Sequence, residues 1–191
     1  MRRLFLQRKG GTRVERQEKI DILRQGIAGR HLCMLDTMLE ETPEYIYPLM
    51  VSDRFVLYQQ EDNFLLDGYA VRRLAQVHTV RLRSGKYEEI NRLHGVADGI
   101  CTPPVDISTW QTLFSSLQKL DTYVTIEDEK NGSFAIGEIR NVYARRVDFL
   151  DFDADGVWQN DLWEIPYSTI TKVTWGDRYS LNWQRYLRTE A

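Results

Sequence analysis

The stretch Phe134-Ala135-Ile136-Gly137-Glu138-Ile139-Arg140-Asn141-Val142 predicts a β-strand, and Val147–Phe152 predicts the next one. Turn residues Lys130-Asn131-Gly132 precede this pair of strands, and Asp155-Gly156 follows it. Strands at such close spacing are typical of a small β-barrel or a β-sandwich. This half of the chain is therefore predicted to be mainly β.

The neighbouring sequence extends this pattern in both directions. Further strands are predicted at Tyr123–Glu127, Val157–Ile165 and Ile170–Trp175, with an additional edge strand at Tyr179–Trp183. A helix is predicted to begin near Asp106 or Ser108 and to precede these strands. Its buried stripe is formed by residues at helical spacing: Trp110, Leu113, Leu117 and Leu120.

The first half of the chain repeats this order of elements. Thr12-Arg13-Val14-Glu15 has the spacing of a capping box, which predicts a helix that runs to about Gly26. Five strand-like runs follow: His31–Leu39, Tyr45–Met50, Phe55–Gln59, Leu65–Val71 and Gln76–Leu82. The first of these runs also fits a helix, and Lys86–Leu93 fits either a strand or a short helix.

A boundary between the two halves is predicted at residues 95–104, which contain glycines and the pair Pro103-Pro104. The predicted organisation is a basic leader at 1–11, a first helix-plus-barrel repeat at 12–94 and a second one at 105–191. Because five-stranded barrels leave unpaired edges, we expect the two barrels to pair with each other or with a second copy.

Matching segments support an internal repeat. Arg54-Phe55-Val56-Leu57 aligns with Arg146-Val147-Asp148-Phe149, and Val77-His78-Thr79-Val80 aligns with Ile170-Thr171-Lys172-Val173. The order of the matches is the same in both halves, which indicates a duplicated unit of one helix and five strands.

This unit resembles the Sm-like fold, one of the SH3-like barrels. The likeness rests on Gly137-Glu138-Ile139, which is similar to the glycine-containing second strand of that family, and on the apolar positions of Ile165–Val173. The resemblance implies two five-stranded SH3-like barrels, assembly into rings and binding of uridine-rich or adenine-rich RNA.

The RNA-binding residues of the family are mostly absent from the second repeat, where Pro166-Tyr167 replaces the expected cation and glycine. The first repeat keeps Arg72, Arg73 and His78 as candidate contacts to RNA or to another partner. Residues 1–100 carry a net charge of +2 and residues 101–191 one of −5. Since phosphate binding depends on cations, RNA is expected to contact the first half.

Composition places the chain among folded cytoplasmic proteins. The apolar run after Met1 is too short for a signal peptide, and no stretch approaches the roughly 18 apolar residues of a membrane span. The two cysteines, Cys33 and Cys101, suit a reduced compartment better than a disulfide framework. The basic leader is either a solvated arm or a contact to an anionic partner.

No motif predicts catalysis, a cofactor or a metal site. Asp151-Phe152-Asp153-Ala154-Asp155-Gly156 imitates the start of an EF-hand loop, but Leu162 occupies the position of the bidentate glutamate. A polar hairpin is the better interpretation. His31, Cys33 and Asp36 are close in sequence without any sign of a nucleophile and its base, so Cys33 is predicted to be a buried structural thiol.

All five tryptophans lie in the second half. Trp158 and Trp163 have opposite parity on one predicted strand, which indicates that one is in the core and the other partly exposed. An exposed tryptophan is a candidate contact to a protein or to RNA. The sequence thus predicts a non-catalytic interaction or scaffolding module that binds protein, including other copies of itself, with a divergent RNA-binding regulator as the alternative.

Overall fold

The computed structural model describes residues 13–39 and 42–189. The first half contains α1 (Arg13–Gly29), β1 (Cys33–Thr37), β2 (Glu44–Val51), β3 (Phe55–Asp62), β4 (Leu65–Arg73), β5 (Val77–Leu82) and α2 (Lys86–Leu93). The second half contains α3 (Trp110–Leu120), β6 (Val124–Asp128), β7 (Ser133–Val142), β8 (Arg146–Asp151), β9 (Trp163–Pro166), β10 (Lys172–Trp175) and α4 (Arg178–Thr189). The predicted capping box at Thr12 and the basic leader lie outside the described residues.

All ten strands belong to one antiparallel sheet with the order β5-β1-β2-β3-β4-β10-β6-β7-β8-β9. Each half contributes its strands in the same relative order, with its fifth strand beside its first and its fourth strand last. The mainly β class with added helices is confirmed. Within the described residues the sheet is continuous and not closed, so two separate barrels are not seen.

The two halves meet where β4 pairs with β10, a contact that we call the junction. Its register places Arg72 opposite Lys172, Val71 opposite Val173 and Ala70 opposite Thr174. The expectation that the edges of the two halves pair with each other is therefore confirmed. The pairing of β4 with β10 makes the sheet continuous, because neither strand is then an outer edge.

Apolar side chains form one core under α1 and a larger one that spans the junction. The first core includes Leu23 of α1 and Tyr58 of β3, both fully buried. In the larger core, Phe55 of the first half meets Trp110 of α3 edge to face, with ring centroids 4.6 Å apart. The apolar contacts across the junction therefore add to its backbone hydrogen bonds.

The predicted edge strand at Tyr179–Trp183 is wrong, because these residues belong to α4. The Asp177 carboxylate starts this helix by accepting hydrogen bonds from the Ser180 backbone N–H at 2.8 Å and from its hydroxyl at 2.6 Å. Trp183 packs against Phe152, with ring centroids 5.2 Å apart. An end cap and an aromatic contact distant in sequence thus override the strand propensity of this segment.

The other differences from the predicted elements are smaller. The strand predicted from Val157 begins only at Trp163, because an Asp153 turn and an isolated bridge between Phe152 and Trp158 occupy the preceding residues. Of the ambiguous segments, residues 31–39 contain β1 and residues 86–93 form α2. Leu120, assigned to the buried stripe of α3, is 41% exposed.

Candidate interaction surfaces

A buried network of charged groups lies at the junction. The Arg72 side chain is fully buried, and its guanidinium donates to both carboxylate oxygens of Glu129 at 2.7 Å and to Glu44 at 3.2 Å. Lys172 donates to Glu44 at 2.7 Å and lies 3.4 Å from Glu127. This junction network connects strands from both halves of the chain.

The ion pairs set the charge state of the network. Burial alone would raise the pKa of Glu44, but the charges of Lys172 and Arg72 hold this pKa below its ordinary value. Burial would lower the pKa of Lys172, and Glu44 raises it instead. Burial raises the pKa of Glu127 above its ordinary value. Removing one member of the network would therefore leave a buried charge without its partner.

A groove of about 880 Å³ lies over the loops that flank the junction. Among the described residues, its basic lining consists of Arg16, Lys19, Arg54 and Arg73, and its acidic lining consists of Asp53, which pairs with Arg16. Arg73 also supports the loop of the second half, since its Nε donates to the Ile170 carbonyl at 2.9 Å. We call this cavity the junction groove; its lining attracts anions.

A second groove, of about 750 Å³, runs along the outer edge of β5. It is bounded by α1, which contributes Glu15, Glu18 and Lys19, and by β5, which contributes His78 and Arg81. The Lys19 ammonium donates to the Val77 carbonyl at 2.6 Å and so lies directly over this strand. We call it the edge groove.

The other end of the sheet is the outer edge of β9, which exposes apolar side chains. Trp163 of β9 is 41% exposed and Leu162, which immediately precedes β9, is 44% exposed, whereas Ala70 and Val71 in the paired strand β4 are fully buried. Large apolar residues on an unpaired edge favour the addition of another strand. The two ends of the sheet, β5 and β9, are therefore the candidate interaction surfaces, together with the junction groove.

Known proteins give no independent guide to the function of these surfaces. Comparison with protein-family models, curated proteins and solved structures finds no match. No activity is therefore transferred to this chain from a relative. No helix within the described ranges has the length and apolar character needed to cross a membrane.

The structure places the residues that the sequence singled out at separate locations. Arg72 lies inside the junction network, where solvent does not reach it, and Arg73 lines the junction groove. His78 is exposed in the edge groove. Trp158 packs between Tyr123 and Phe152, while Trp163 lies on the exposed edge of β9. The two tryptophans thus differ in exposure, although they do not share one strand.

The two segments with a superficial resemblance to chemical sites have structural roles. Asp153 Oδ1 accepts hydrogen bonds from the backbone N–H groups of Asp155 and Val157 at 2.9 and 3.0 Å, which closes a turn. Burial, followed by the Glu88 charge, raises the pKa of the Cys33 thiol to about 12. Among the described residues, no three metal-ligating side chains are grouped to hold an ion.

The acidic half of the junction network was not predictable from the sequence, and of the edge groove only His78 had been singled out. The network contains three carboxylates that the sequence shows only as ordinary turn and strand-end residues: Glu44, Glu127 and Glu129. Their partners, Arg72 and Lys172, are distant from them in sequence. The groove combines the middle of α1 with β5, and only the packing of α1 along the sheet reveals it. The sequence contains one signal for the outer edge of β9. Leu162 and Trp163 are adjacent large apolar residues, and such a pair does not fit a pattern in which apolar and polar residues alternate.

Proposed function

We propose that this chain is a non-catalytic interaction module that binds protein by adding strands to the outer edges of its sheet. The observation that supports this proposal is the junction, where the chain already joins a fourth strand to a fifth strand by backbone pairing. The corresponding strands β9 and β5 end the sheet. Main-chain hydrogen bonds give affinity in such strand addition, and side-chain pockets give specificity.

We also propose that each half is a divergent Sm-like unit, as the sequence resemblance implies. The shared strand order of the halves and the glycine at Gly137 in the second strand of its half support this assignment. The helices α1 and α3 precede the first strand of each half in the same way. A duplicated unit explains why the two end strands of the sheet, β9 and β5, correspond to β4 and β10 at the junction.

Charging the outer edge of β9 is expected to abolish protein binding there. Leu162→Lys places an ammonium beside the strand, and a lysine on an edge blocks strand addition. The full-length chain serves as bait in nuclease-treated native cytosol. We expect the variant to retain at least about tenfold less of the proteins that the wild-type chain retains. This is the effect of removing a buried apolar contact at an interface.

The matched control is Leu120→Lys, because this leucine on α3 has nearly the same exposure, 41%, as Leu162 at 44%. We expect the Leu120→Lys variant to retain the same proteins as the wild-type chain, in the same amounts. Equal retention by the Leu162→Lys variant, or an equal loss in the control, would contradict binding at this edge.

Binding of single-stranded RNA is a second candidate function, and the excess of cations over carboxylates among the described residues of the junction groove favours it. Cations that displace the counterions of phosphates provide most of such affinity. Arg54→Glu in the full chain is expected to weaken binding of short oligoribonucleotides about tenfold at about 150 mM salt. Arg185→Glu, an exposed change on α4, serves as the control. RNA binding that is absent at this salt, or unaffected by Arg54→Glu, refutes this candidate.

A further inference from the structure

We propose that the junction groove is a binding site for a small phosphate monoester with an apolar body. The volume of the groove, about 880 Å³, is that of an ordinary site for a small molecule. The proposal goes beyond strand addition at the outer edges and does not depend on it. It rests on three features of the groove: its cations, the N-terminal end of α3 and a floor of buried aromatic side chains.

The first cation, Arg73, is partly buried and has only neutral acceptors. Its Nε donates to the Ile170 carbonyl at 2.9 Å, and its Nη2 donates to the Tyr167 carbonyl. Burial lowers the pKa of Arg73, and within residues 13–39 and 42–189 no carboxylate forms an ion pair with its guanidinium. A charge that is withdrawn from water without a counter-charge favours a bound anion.

The second cation, Arg54, is exposed and lies in the turn before β3. Its backbone carbonyl accepts a hydrogen bond from the Leu74 N–H at 2.8 Å, which holds Arg54 next to the segment that contains Arg73. Both arginines line the groove. One ligand anion can therefore contact two guanidinium groups, and charge-assisted hydrogen bonds of this kind are strong.

The other charged residues of the lining already interact with groups of opposite charge. Asp53 pairs with Arg16 at 3.5 Å, so the carboxylate of the lining is balanced. Lys19 is influenced by the charge of Glu15, and its ammonium donates to a backbone carbonyl of β5. The two cations described above are therefore the ones available to a ligand.

The N-terminal end of α3 adds donors to the groove. Its first two residues, Trp110 and Gln111, line the groove together with the N-cap residue Thr109. The Thr109 hydroxyl accepts a hydrogen bond from the N–H of the third residue, Thr112, at 3.1 Å. The first two N–H groups have no partner within the helix, and its first turn contains no acidic residue. Such an end suits the oxygens of a phosphate.

The floor of the groove is aromatic and includes a donor without an acceptor. Phe55, Trp110 and Tyr167 are all at most 9% exposed, and the Arg73 guanidinium lies 5.5 Å from the centre of the indole ring. The indole N–H of Trp110 has no hydrogen-bond partner within the described parts of the chain. Because an unpaired buried donor is costly, a ligand that brings an acceptor to this floor is favoured.

Together these features select the class of ligand. A phosphate monoester carries about −1.5 to −2 charges at pH 7 and three terminal oxygens, which suits two guanidinium groups and two helix N–H groups. A sulfonate or a phosphodiester carries one charge only. Apolar atoms of the ligand gain by leaving water against the aromatic floor. The groove therefore favours an apolar monoester over phosphate alone and over a singly charged analogue.

NMR titration of the full chain tests the site, with phenyl phosphate as the probe at about 150 mM salt. The indole N–H signal of Trp110 and the backbone N–H signal of Gln111 are expected to shift. Inorganic phosphate lacks the apolar body and benzenesulfonate lacks the second charge, so each is expected to bind at least about tenfold more weakly. Signals that do not move with millimolar phenyl phosphate, or equal binding of either analogue, overturn the proposal.

Gln111→Glu places a carboxylate in the groove without harming the helix. A negative charge in the first turn stabilises a helix, so the midpoint of thermal unfolding is not expected to fall. The same charge repels the phosphate, and binding of phenyl phosphate is expected to weaken at least about tenfold. Gln25→Glu on the exposed face of α1 is the matched control and should bind like the wild type. Unchanged binding in Gln111→Glu, or equal weakening in both variants, contradicts the site.

Arg54→Gln removes an exposed cation and leaves the buried contacts of Arg73 in place. Binding of phenyl phosphate is expected to weaken about tenfold, whereas Arg185→Gln on α4, the control, should leave it unchanged. Unchanged binding in Arg54→Gln would show that the anion does not lie between the two arginines.

A hexaribonucleotide without a terminal phosphate separates this site from RNA binding. It contains only phosphodiesters, so it is expected to move the Trp110 indole signal at a concentration at least about tenfold higher than phenyl phosphate does. If the oligonucleotide moves this signal at the lower concentration, the groove serves RNA and the proposal is overturned. Leu162→Lys, at the outer edge of β9, is expected to bind phenyl phosphate like the wild type, so the failure of strand addition there would leave this site intact.

Discussion

Replacing Arg72 by methionine is expected to lower the free energy of unfolding by about 3–5 kcal/mol. The guanidinium is the bidentate partner of Glu129 and a partner of Glu44, and its side chain is fully buried. Methionine fills a similar volume but leaves two largely buried carboxylates, 13% and 8% exposed, with less positive charge beside them. The decrease in the free energy of unfolding therefore measures the cost of burying the carboxylates without their counter-charge.

Urea denaturation of the full chain gives this free energy, and Arg24→Met on the exposed face of α1 is the matched control. The control removes a guanidinium whose side chain is 64% exposed, so a change of at most about 1 kcal/mol is expected. Adding Glu129→Gln to Arg72→Met should recover part of the loss, because the unpaired charge is removed. A loss below 1 kcal/mol in Arg72→Met, or strictly additive effects in the double variant, would show that the network does not hold the junction.

Gly137→Ala is expected to destabilise the protein by about 3 kcal/mol, the upper part of the range for overpacking. A Cβ at this position would lie 2.0 Å from the Leu150 carbonyl oxygen and 2.9 Å from the Asp151 Cα. Both atoms belong to the backbone of β8, which pairs with β7 at this point. Because backbone in a paired strand cannot rotate away, the two strands must separate.

Thermal unfolding of the full chain measures this effect, with Gly99→Ala as the control. A Cβ at Gly99 would meet only the end of the flexible Leu66 side chain at 3.2 Å. The control is expected to unfold within a few degrees of the wild type. If Gly137→Ala did the same, β7 and β8 would not approach as closely as described.

The strands and helices of this chain were predictable where their signals are local. The stretch around Gly137 and the turn residues that flank it indicated β7 and β8, and alternating or periodic apolar residues indicated most other elements. The segment at residues 178–189 was not predictable in this way. Its helix depends on a cap by Asp177 and on the contact between Trp183 and Phe152, and such contacts appear only when distant strands are assembled.

The candidate surfaces were only partly predictable for the same reason. The resemblance to the Sm-like family drew attention to Arg72 as a cation, but its ion pairs are with Glu44 and Glu129, which come from a different strand and a different half. Trp163 was recognised as a candidate contact, because its parity differs from that of Trp158. The edge groove needs the packing of α1 beside β5, and no local pattern contains that information.

Hydrogen exchange of the full chain, alone and after saturation with a protein that it retains from native cytosol, tests most directly whether the outer edges bind. If they do, the amides of β5 at residues 77–82 and of β9 at residues 163–165 become protected when this protein is added. The amides of β4 and β10 at the junction should show no change, since they are already paired. Protection that stays constant at both outer edges, or that rises only elsewhere in the chain, would contradict the account.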